Sequence, residues 1–313
     1  MTSGGDSPGM NACIRAVVRT GLNRGLRVVG IRHGYQGLIK NDVEELEGFS
    51  VSNIIQHGGT VLKTARCEEF RTKEGRHVAA QTMDRMEIDA LVVIGGNGSF
   101  QGGTIFQQEY GYPIIGCPGT IDNDLYGTDY TIGYDTAINT ALYNIDKIRD
   151  TADALERTFY IEVMGRSSGF IALEVGLSCG AEYIAIPESD TQLSVLLDLF
   201  ARQKASKRSN VIIVAEGRGH GAIDLAEQVK AVNGMDYRVT IIGHIQRGGS
   251  PTARDRILAS KLGSAAIDTL LDGEKGVMMG EIGGKLVTTP IHETWEKNKP
   301  IDESLVELSH LLM

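Results

Sequence analysis

Apolar runs of strand length recur along the chain, separated by stretches with helical patterning. The runs are LRVVGI (26–31), IDALVVIGG (88–96), YPIIGC (112–117), TFYIEVM (158–164), EYIAIP (182–187), NVIIVAEG (210–217) and YRVTIIGH (237–244). Helical stretches such as MNACIRAVVRTGLNRG (10–25), DTAINTALYNIDKIRDTADAL (135–155) and GFIALEVGLSCG (169–180) lie between them. Strands that are apolar throughout and alternate with helices are typical of parallel sheets covered by helices. The pattern therefore predicts an α/β fold whose ligands bind at the carboxyl ends of the strands.

Charge and cysteine usage narrow the function classes. The net charge of -9 argues against a nucleic-acid partner, because phosphate backbones attract an excess of Lys and Arg. The cysteines Cys13, Cys67, Cys117 and Cys179 are scattered without metal-binding spacing, which favours reduced thiols inside a cell. The sequence shows neither a signal peptide nor an apolar run of membrane length. We therefore expect a cytoplasmic protein with no membrane partner.

Glycine makes up 39 of the 313 residues, and three glycine-rich segments stand out. These are TSGGDSPGMNA (2–12), GGNGSFQGG (95–103) and CPGTIDNDLYGTD (117–129). Such loops expose backbone N–H groups, and the helices that follow add positive dipole ends, so both suit the oxygens of a di- or triphosphate. A tight turn explains any one loop, whereas three together favour a nucleotide site. None matches the P-loop pattern or GxGxxG.

The first glycine segment has almost nothing before it. A phosphate-binding loop normally leaves a strand, yet only three residues precede the glycines of this one. We therefore expect the first strand of the sheet to be missing from this chain.

Two carboxylates, Asp122 and Asp124, lie one residue apart where the run 112–117 enters a loop. Turn chemistry is one interpretation, because Asp, Asn, Gly and Thr side chains bond their own backbone in loops. The other interpretation is a site where acidic groups handle a proton and a metal. Since alternate residues share a face only in a regular chain, the two carboxylates are expected to face different groups.

Five motifs together decide between these interpretations. They are GGDSPGMN, PGTIDNDLYGTDYTIGYDTA, EVMGRSSGF, GAEYIAIPE and GHIQRGGSPTARDRILASKLG, and they run in order from residue 4 to residue 263. In this combination the sequence resembles the bacterial ATP-dependent 6-phosphofructokinases. The resemblance implies two similar Rossmann-like lobes with mainly parallel sheets, an active site in the cleft between them, and Mg²⁺ as cofactor. We expect residues 1–133 with 246–296 to form the nucleotide-binding lobe and residues 134–245 with 297–313 the sugar-phosphate lobe.

Phosphoryl transfer to an alcohol needs a base for the hydroxyl proton, a metal to neutralise phosphate charge, and cations around the transferred group. The resemblance makes Asp122 the base and Thr120 a contact of the incoming phosphate, and it places Asp124 on the magnesium side. An Asx-turn remains the alternative for Asp124. Arg166 would stabilise charge on the transferred group.

The resemblance also implies the residues that bind the two substrates, ATP and fructose 6-phosphate. The sugar phosphate would contact Thr120, Ile121, Asp122, Met164, Gly165, Arg166, Glu216, His244 and Arg247, with Arg157 and Arg238 reaching across from a neighbour in a homotetramer. ATP would contact Gly4, Gly5, Arg66, Cys67, Gly96, Asn97, Gly98 and Ser99. Taken alone, each arginine is more often a solvated surface residue. Glycine at positions 98 and 119 leaves space for a nucleotide and favours ATP over pyrophosphate.

Three positions depart from the family pattern. Asn97 stands where the family usually has an aspartate that helps to hold Mg²⁺; an amide oxygen still ligates the ion but adds no charge. This predicts weaker magnesium binding through Asn97 and Asp124, or more coordination through water. Together with the missing first strand, it motivates a second hypothesis, a weakly catalytic nucleotide-sensing subunit. A pyrophosphate-dependent phosphofructokinase is the third. The other departures are Gly48 and Ser209, which replace an arginine and a histidine of the family's effector site.

That effector site binds ADP or phosphoenolpyruvate in the family. The chain keeps Arg15, Arg19, Arg149, Gly180, Glu182 and Lys207 of it. Arg15 and Arg19 lie one turn apart on a predicted helix, so both reach a single anion. A solvent-facing stripe is the alternative for this pair. Fewer cations predict weaker effector binding.

Overall fold

In the computed structural model, which describes residues 1–189, 193–203 and 209–312, the chain divides into two units. The first unit comprises Met1–Ile121, Leu125–Thr136 and Arg247–Lys299. The second unit comprises Asp122–Asp124, Ala137–Gln246 and Pro300–Met313.

The elements alternate between strand and helix as the hydrophobic pattern predicts. The first part of the chain forms β1 (Thr2–Ser3), α1 (Met10–Asn23), β2 (Val29–Ile31), α2 (Tyr35–Lys40), β3 (Val43–Glu45), a 3₁₀ helix (Glu69–Arg71), α3 (Lys73–Arg85), β4 (Leu91–Gly95), α4 (Asn97–Tyr110) and β5 (Ile114–Pro118). The middle of the chain forms α5 (Tyr134–Leu155), β6 (Thr158–Val163), α6 (Phe170–Cys179), β7 (Tyr183–Ala185), α7 (Leu193–Gln203), β8 (Asn210–Ala215), α8 (Gly221–Asn233), β9 (Tyr237–Ile241) and a second 3₁₀ helix (Gly243–Arg247). The last segments are α9 (Ala253–Leu271), β10 (Val277–Ile282), β11 (Lys285–Pro290), α10 (Glu293–Glu296) and α11 (Glu303–Leu312).

The described part of the first unit contains a five-stranded sheet in the order β1-β4-β5-β10-β11. The first four strands run parallel, and β11 returns antiparallel to β10. Helices α1 and α9 pack together over a buried cluster that includes Cys13, Ile94, Cys117 and Leu262. This sheet ends in the three glycine segments, because β1, β4 and β5 lead directly into them.

The second unit has a sheet whose described strands follow the order β7-β8-β6-β9, all parallel. Every residue of β8 is buried, which is the pattern expected of a central strand covered on both faces. The predicted α/β class with mainly parallel sheets is therefore confirmed. No helix in the described part of the chain is both long and apolar enough to cross a bilayer.

The strands differ from the sequence prediction in three places. The run LRVVGI contributes β2, which pairs antiparallel with β3 in a separate two-stranded ribbon rather than in a parallel sheet. The hairpin β10–β11 was not predicted, although Gly283 and Gly284 between two apolar runs are a hairpin signal. The expectation that the first strand of the sheet is missing is wrong, because Thr2 and Ser3 pair with Ile94 and Gly95 of β4.

The chain passes between the two units at positions that differ from the predicted boundaries. The crossings follow Thr136, Gln246 and Lys299 rather than residues 133, 245 and 296. The segment Asp122–Asp124 also belongs to the second unit, where the hydroxyl of Ser168 donates a hydrogen bond to the carbonyl oxygen of Asp122 at 3.3 Å.

Candidate active site

The first glycine segment forms a tight turn between β1 and α1. Gly4 has φ of +91°, a conformation that glycine adopts without strain, and its carbonyl accepts a hydrogen bond from Oγ1 of Thr64 at 2.8 Å. The guanidinium of Arg247 lies against Gly5, since a Cβ added there would sit 2.1 Å from its Nη1. Helix α1 then begins after Gly9 without a side-chain cap. The structure therefore brings the predicted ligands Gly4, Gly5 and Arg247 together.

The second glycine segment is the beginning of a helix rather than a loop. Helix α4 starts at Asn97, directly after β4, and Gly96 precedes it without a side-chain cap. Asn97, Gly98 and Ser99 thus occupy the first turn, where uncapped N–H groups and the helix dipole favour an anion. An added Cβ on Gly4 would lie 3.2 Å from Oγ of Ser99, so this helix end adjoins the first glycine turn.

The two glycines used to argue for ATP have different surroundings. A Cβ on Gly98 would meet nothing within 4 Å, so this position faces open space. A Cβ on Gly119 would lie 3.0 Å from both Ile94 and Met10 and 3.3 Å from the amide of Gly95. Glycine at 119 is therefore favoured by close packing against β4, whereas Gly98 faces open space. The role of Gly119 in making room for a nucleotide stays a prediction.

The side-chain oxygen of Asn97 is an acceptor without a partner among the described residues. Its Oδ1 is buried and accepts no hydrogen bond from any part of the chain that the structure describes. A buried acceptor without a donor is costly, and a hard cation such as Mg²⁺ satisfies an amide oxygen. Within the described ranges no group of three or more His, Cys, Asp or Glu side chains is arranged to hold a metal. Asn97 therefore fits a magnesium ion that takes few of its ligands from the protein.

The loop that carries Asp122 and Asp124 is closed at its base by hydrogen bonds. The amide of Ile132 donates to the carbonyl of Pro118 at 2.8 Å, and Oγ1 of Thr131 donates to the carbonyl of Thr120 at 2.6 Å. These bonds hold the two ends of the loop together at the carboxyl end of β5. Thr120 also lies beside the start of α4, because a Cβ added to Gly96 would be 3.7 Å from the Cβ of Thr120.

The two aspartates are separated by a backbone reversal. Asn123 between them is buried and has φ of +54°, in the left-handed region. The chain is therefore not extended at this point. Asp122 and Asp124 are each half-buried. The irregular backbone agrees with the premise that the two carboxylates face different groups.

A buried carboxylate that the sequence did not indicate supports the end of this loop. Asp255, at 1% exposure, accepts hydrogen bonds from the amides of Gly133 at 2.9 Å and Thr136 at 2.8 Å, and from the hydroxyl of Thr136. Burial raises the pKa of Asp255 to about 6, against the opposing effect of these hydrogen bonds. Asp255 therefore fixes the first turn of α5, which follows directly on the loop of Asp122.

The predicted sugar-phosphate residues Met164, Gly165 and Arg166 form a turn after β6 in the second unit. The amides of Gly165 and Arg166 donate to Oε1 of Glu216 at 3.2 and 2.7 Å, and the amide of Met164 donates to Oε1 of Gln246 at 2.8 Å. Arg166 itself has φ of +56° and an exposed side chain. Glu216 thus holds this turn with one oxygen, a role beyond the sugar contact predicted for it.

Gln246 was missed by the sequence argument, although it lies inside the motif GHIQRGG. It is fully buried, and its Nε2 donates to no group in the described part of the chain. Its position in the sequence could have indicated it, because Gln246 lies between His244 and Arg247. The resemblance assigns both of these residues to the sugar-phosphate site. Its carbonyl oxygen ties the 3₁₀ helix that carries His244 to the turn that carries Arg166.

The remaining predicted sugar contacts differ in their exposure. His244 is exposed, and Arg157 is half-buried at the start of β6. Arg238 is exposed on the edge strand β9, where it pairs with Asp236 at 3.3 Å and donates to the carbonyl of Tyr237. Ile121 is buried next to the aspartates. The role of Arg157 and Arg238 toward a neighbouring subunit stays a prediction.

Comparison with known proteins decides the family. A family model described as Phosphofructokinase matches residues 1–270. The chain belongs to the phosphofructokinase family. It is 53% identical over 313 residues to ATP-dependent 6-phosphofructokinase 1 of Thermus thermophilus, covering 99% of this chain and 97% of the relative. It is 54% identical over 314 residues to the ATP-dependent 6-phosphofructokinase of Cytophaga hutchinsonii, covering 99% and 96%.

A solved phosphofructokinase supports the same fold. The structure of phosphofructokinase from Saccharomyces cerevisiae superposes with a TM-score of 0.89 at 37% identity over 94% of this chain. The match spans 44% of the length of the yeast chain. The resemblance seen in the five sequence motifs is thus confirmed at the level of the family.

Two further nucleotide contacts implied by the family resemblance lie on the segment before α3. Arg66 is exposed, and Cys67 is half-buried against the apolar cluster around Phe70. Among the residues that the structure describes, neither side chain forms a hydrogen bond or ion pair with the glycine turns. Their role in binding ATP stays a prediction.

The residues that resemble the family's effector site are largely engaged within the chain. Arg149 donates to the carbonyls of Cys179 and Gly180 at 2.7 and 2.8 Å, where α6 ends, and lies 3.6 Å from the carboxylate of Glu182. Glu182 is buried and accepts the amide of Val211 at 2.6 Å. These contacts explain the two residues as supports of α6 and β7.

The other effector predictions are less constrained by the structure. Arg15 is half-buried and Arg19 exposed on α1, and Nη2 of Arg19 lies 3.4 Å from the carbonyl of Gly48. The hydroxyl of Ser209 donates to Asp153 at 3.3 Å. Lys207 lies outside the described residues. Effector binding therefore stays a prediction.

Proposed function

We propose that the protein is an ATP-dependent 6-phosphofructokinase of glycolysis. It transfers the γ-phosphate of ATP to the 1-hydroxyl of fructose 6-phosphate and releases fructose 1,6-bisphosphate and ADP. The observation that carries this proposal is the identity of 53 to 54% with relatives of that name across 99% of the chain. The proposed catalytic residues Thr120, Asp122, Asp124 and Arg166 are all present in the corresponding motifs.

Each residue has a role that follows from the chemistry of phosphoryl transfer. Asp122 accepts the proton of the sugar hydroxyl as the oxygen attacks, and Thr120 contacts the incoming phosphate. The guanidinium of Arg166, which is always charged, stabilises the charge on the transferred group. The uncapped starts of α1 and α4 offer N–H groups to the phosphates of ATP. Binding of this kind needs no P-loop lysine.

Asn97 and Asp124 are the residues that would hold Mg²⁺. When bound, the ion neutralises charge on the phosphate oxygens of ATP. The unpartnered Oδ1 of Asn97 supports its part in this site. Asp124 contributes the carboxylate, since the amide of Asn97 brings no charge.

Two alternative functions are each suggested by a specific feature of the chain. A pyrophosphate-dependent enzyme needs no room for a nucleoside, whereas the open space at Gly98 supports a nucleotide donor. A weakly catalytic nucleotide-sensing subunit is motivated by Asn97. Against it, the sequence keeps Thr120, Asp122 and Arg166, the residues proposed for the reaction.

The proposal extends to assembly and control in the form that the resemblance implies. The protein acts in the cytoplasm as a homotetramer in which Arg157 and Arg238 complete the site of a neighbouring subunit. ADP or phosphoenolpyruvate binds at Arg15 and Arg19. This binding is weak, because Gly48 replaces an arginine of the family's effector site.

The test is a coupled assay of fructose 1,6-bisphosphate formation with saturating ATP and magnesium. We expect turnover by the wild-type protein and a fall in kcat of roughly 10²–10⁴-fold in Asp122→Asn, the contribution typical of a general base. Fructose 6-phosphate binding, measured by calorimetry, should survive in this variant. Absence of product from the wild type, or full activity of Asp122→Asn, contradicts the proposal.

A further inference from the structure

Ser168 connects the segment of the proposed base to the turn of the proposed sugar site. Its hydroxyl lies 2.9 Å from the carbonyl oxygen of Gly165 and 3.3 Å from the carbonyl oxygen of Asp122. The side chain is buried, and all three residues belong to the second unit. One hydroxyl proton is thus shared between two acceptors that stand on different segments of the chain.

The backbone on both sides of Ser168 is fixed, so its hydroxyl is held in place. The amide of Ser168 donates to the carbonyl of Gly165 at 3.0 Å. Gly165 has φ of +150°, and a Cβ there would lie 2.8 Å from the carbonyl oxygen of Ser168. The amide of the next residue, Gly169, donates to Oε1 of Glu188 at 2.8 Å. These backbone contacts therefore hold the Cα of Ser168, and with it the hydroxyl, in a fixed position.

The segment that receives the bond has little regular structure of its own. Asp122 precedes Asn123, whose backbone is left-handed, and the segment belongs to no strand or helix. A short irregular segment keeps one conformation only where surrounding bonds determine it. The bond from Ser168 is a contact of this kind.

We propose that Ser168 is a positioning residue that fixes the backbone of Asp122 relative to the turn of Met164, Gly165 and Arg166. The inference rests on the proposed function for its catalytic consequence, because it is Asp122 that would accept the proton. Ser168 itself touches no reacting atom. Its loss misplaces the base against the bound sugar while leaving the groups that bind ATP unchanged.

The experiment compares Ser168→Ala with Ser167→Ala. Ser167 is the adjacent residue, is exposed, and makes no hydrogen bond to the described chain, so it is a matched control. In Ser168→Ala we expect kcat to fall by about three- to tenfold, the effect of one hydrogen bond, with KM for ATP unchanged. Ser168→Cys, which keeps a weak donor, should fall between wild type and Ser168→Ala. The control should match wild type.

Hydrogen exchange separates this inference from the proposed function. In Ser168→Ala, peptides that cover residues 119–125 should exchange faster than in wild type and in Ser167→Ala, whether or not the protein turns over. Equal exchange in that segment overturns the inference, and so does a Ser168→Ala variant with wild-type kcat. A lower thermal midpoint with kcat and exchange unchanged also overturns it, since that is the result of a purely structural role. Absence of wild-type activity together with faster exchange contradicts the proposed function alone.

Discussion

Between Asp122 and Asp124, the left-handed backbone of Asn123 separates two carboxylates that the sequence places side by side. The sequence could name these residues because a carboxylate pair after a buried strand is a recognisable pattern. It could not give the directions of their side chains. These depend on the φ of Asn123 and on the hydrogen bond from Ser168 to Asp122, which are 46 positions apart in the chain. Asp255 and Gln246 were missed for a related reason, since their partners are distant in sequence.

The amide at position 97 gives a prediction about magnesium. Asn97→Asp adds a negative charge beside the predicted metal, so we expect tighter magnesium binding in the presence of nucleotide and weaker nucleotide binding in EDTA. The measurement is nucleotide affinity over a magnesium titration, followed by calorimetry.

Gln101→Glu is the control for this experiment. It adds the same charge one turn along α4 at an exposed position. An unchanged magnesium dependence in Asn97→Asp, or an equal change in Gln101→Glu, contradicts the assignment of Asn97 to the metal.

The buried amide of Gln246 gives a second prediction at this scale. Gln246→Met keeps the approximate volume but leaves the amide of Met164 without its acceptor, so we expect a loss of about 1–3 kcal/mol in the free energy of unfolding. KM for fructose 6-phosphate should rise more than KM for ATP. Chemical denaturation and steady-state kinetics measure both, with Gln228→Met on the exposed face of α8 as control. Wild-type stability in Gln246→Met would show that this bond is dispensable.

The helices and strands agree with the sequence prediction where the hydrophobic periodicity is strong. They differ from it where packing against distant residues determines the conformation. The segment GGNGSFQGG reads as a loop because glycine disfavours helices. It begins a helix nonetheless, because Phe100 and Phe106 are fully buried in the first unit's core and reward that conformation. The ribbon of β2 and β3 was likewise beyond a local pattern, since an apolar run does not specify its pairing partner.

Two glycines at the ends of these elements give a paired prediction. Gly119→Ala places a Cβ 3.0 Å from Ile94 and Met10, so we expect a loss of about 1–3 kcal/mol from overpacking. Gly98→Ala points into open space within a helix, so stability should be unchanged or higher by up to about 1 kcal/mol. Urea denaturation of both variants checks the pair. Equal stability losses would contradict the distinction between a packing glycine and an open one.

At the scale of the whole molecule, the division into units follows contacts that no local pattern encodes. The sequence predicted strand–helix units in both halves, and the return of the segment after residue 246 came only from the resemblance. The three residues Asp122–Asp124 show the limit most clearly. Their neighbours on both sides lie in the first unit, whereas contacts assign these three to the second.

The buried carboxylate of Asp255 predicts a pH dependence of global stability. Burial raises its pKa in the folded state from 3.8 to about 6, so the native protein binds the proton more tightly than the unfolded chain. The stability that this group contributes is therefore present below about pH 4 and is lost as the pH rises to about 6. The change amounts to at most about 3 kcal/mol.

Asp255→Asn tests this dependence. The difference in free energy of unfolding between wild type and variant should be larger at pH 4 than at pH 7, and level above pH 7. The measurement is urea denaturation across that range, with Asp146→Asn at an exposed position of α5 as control. A difference that grows with pH would contradict the assignment of the shift to burial.

The central claim is that this protein phosphorylates fructose 6-phosphate with ATP as donor. The measurement that tests it most directly is fructose 1,6-bisphosphate formation with ATP and with pyrophosphate in parallel, at equal donor concentration over a magnesium titration. The account predicts magnesium-dependent product with ATP and background with pyrophosphate. Product with pyrophosphate in place of ATP, or no product with either donor, would contradict it.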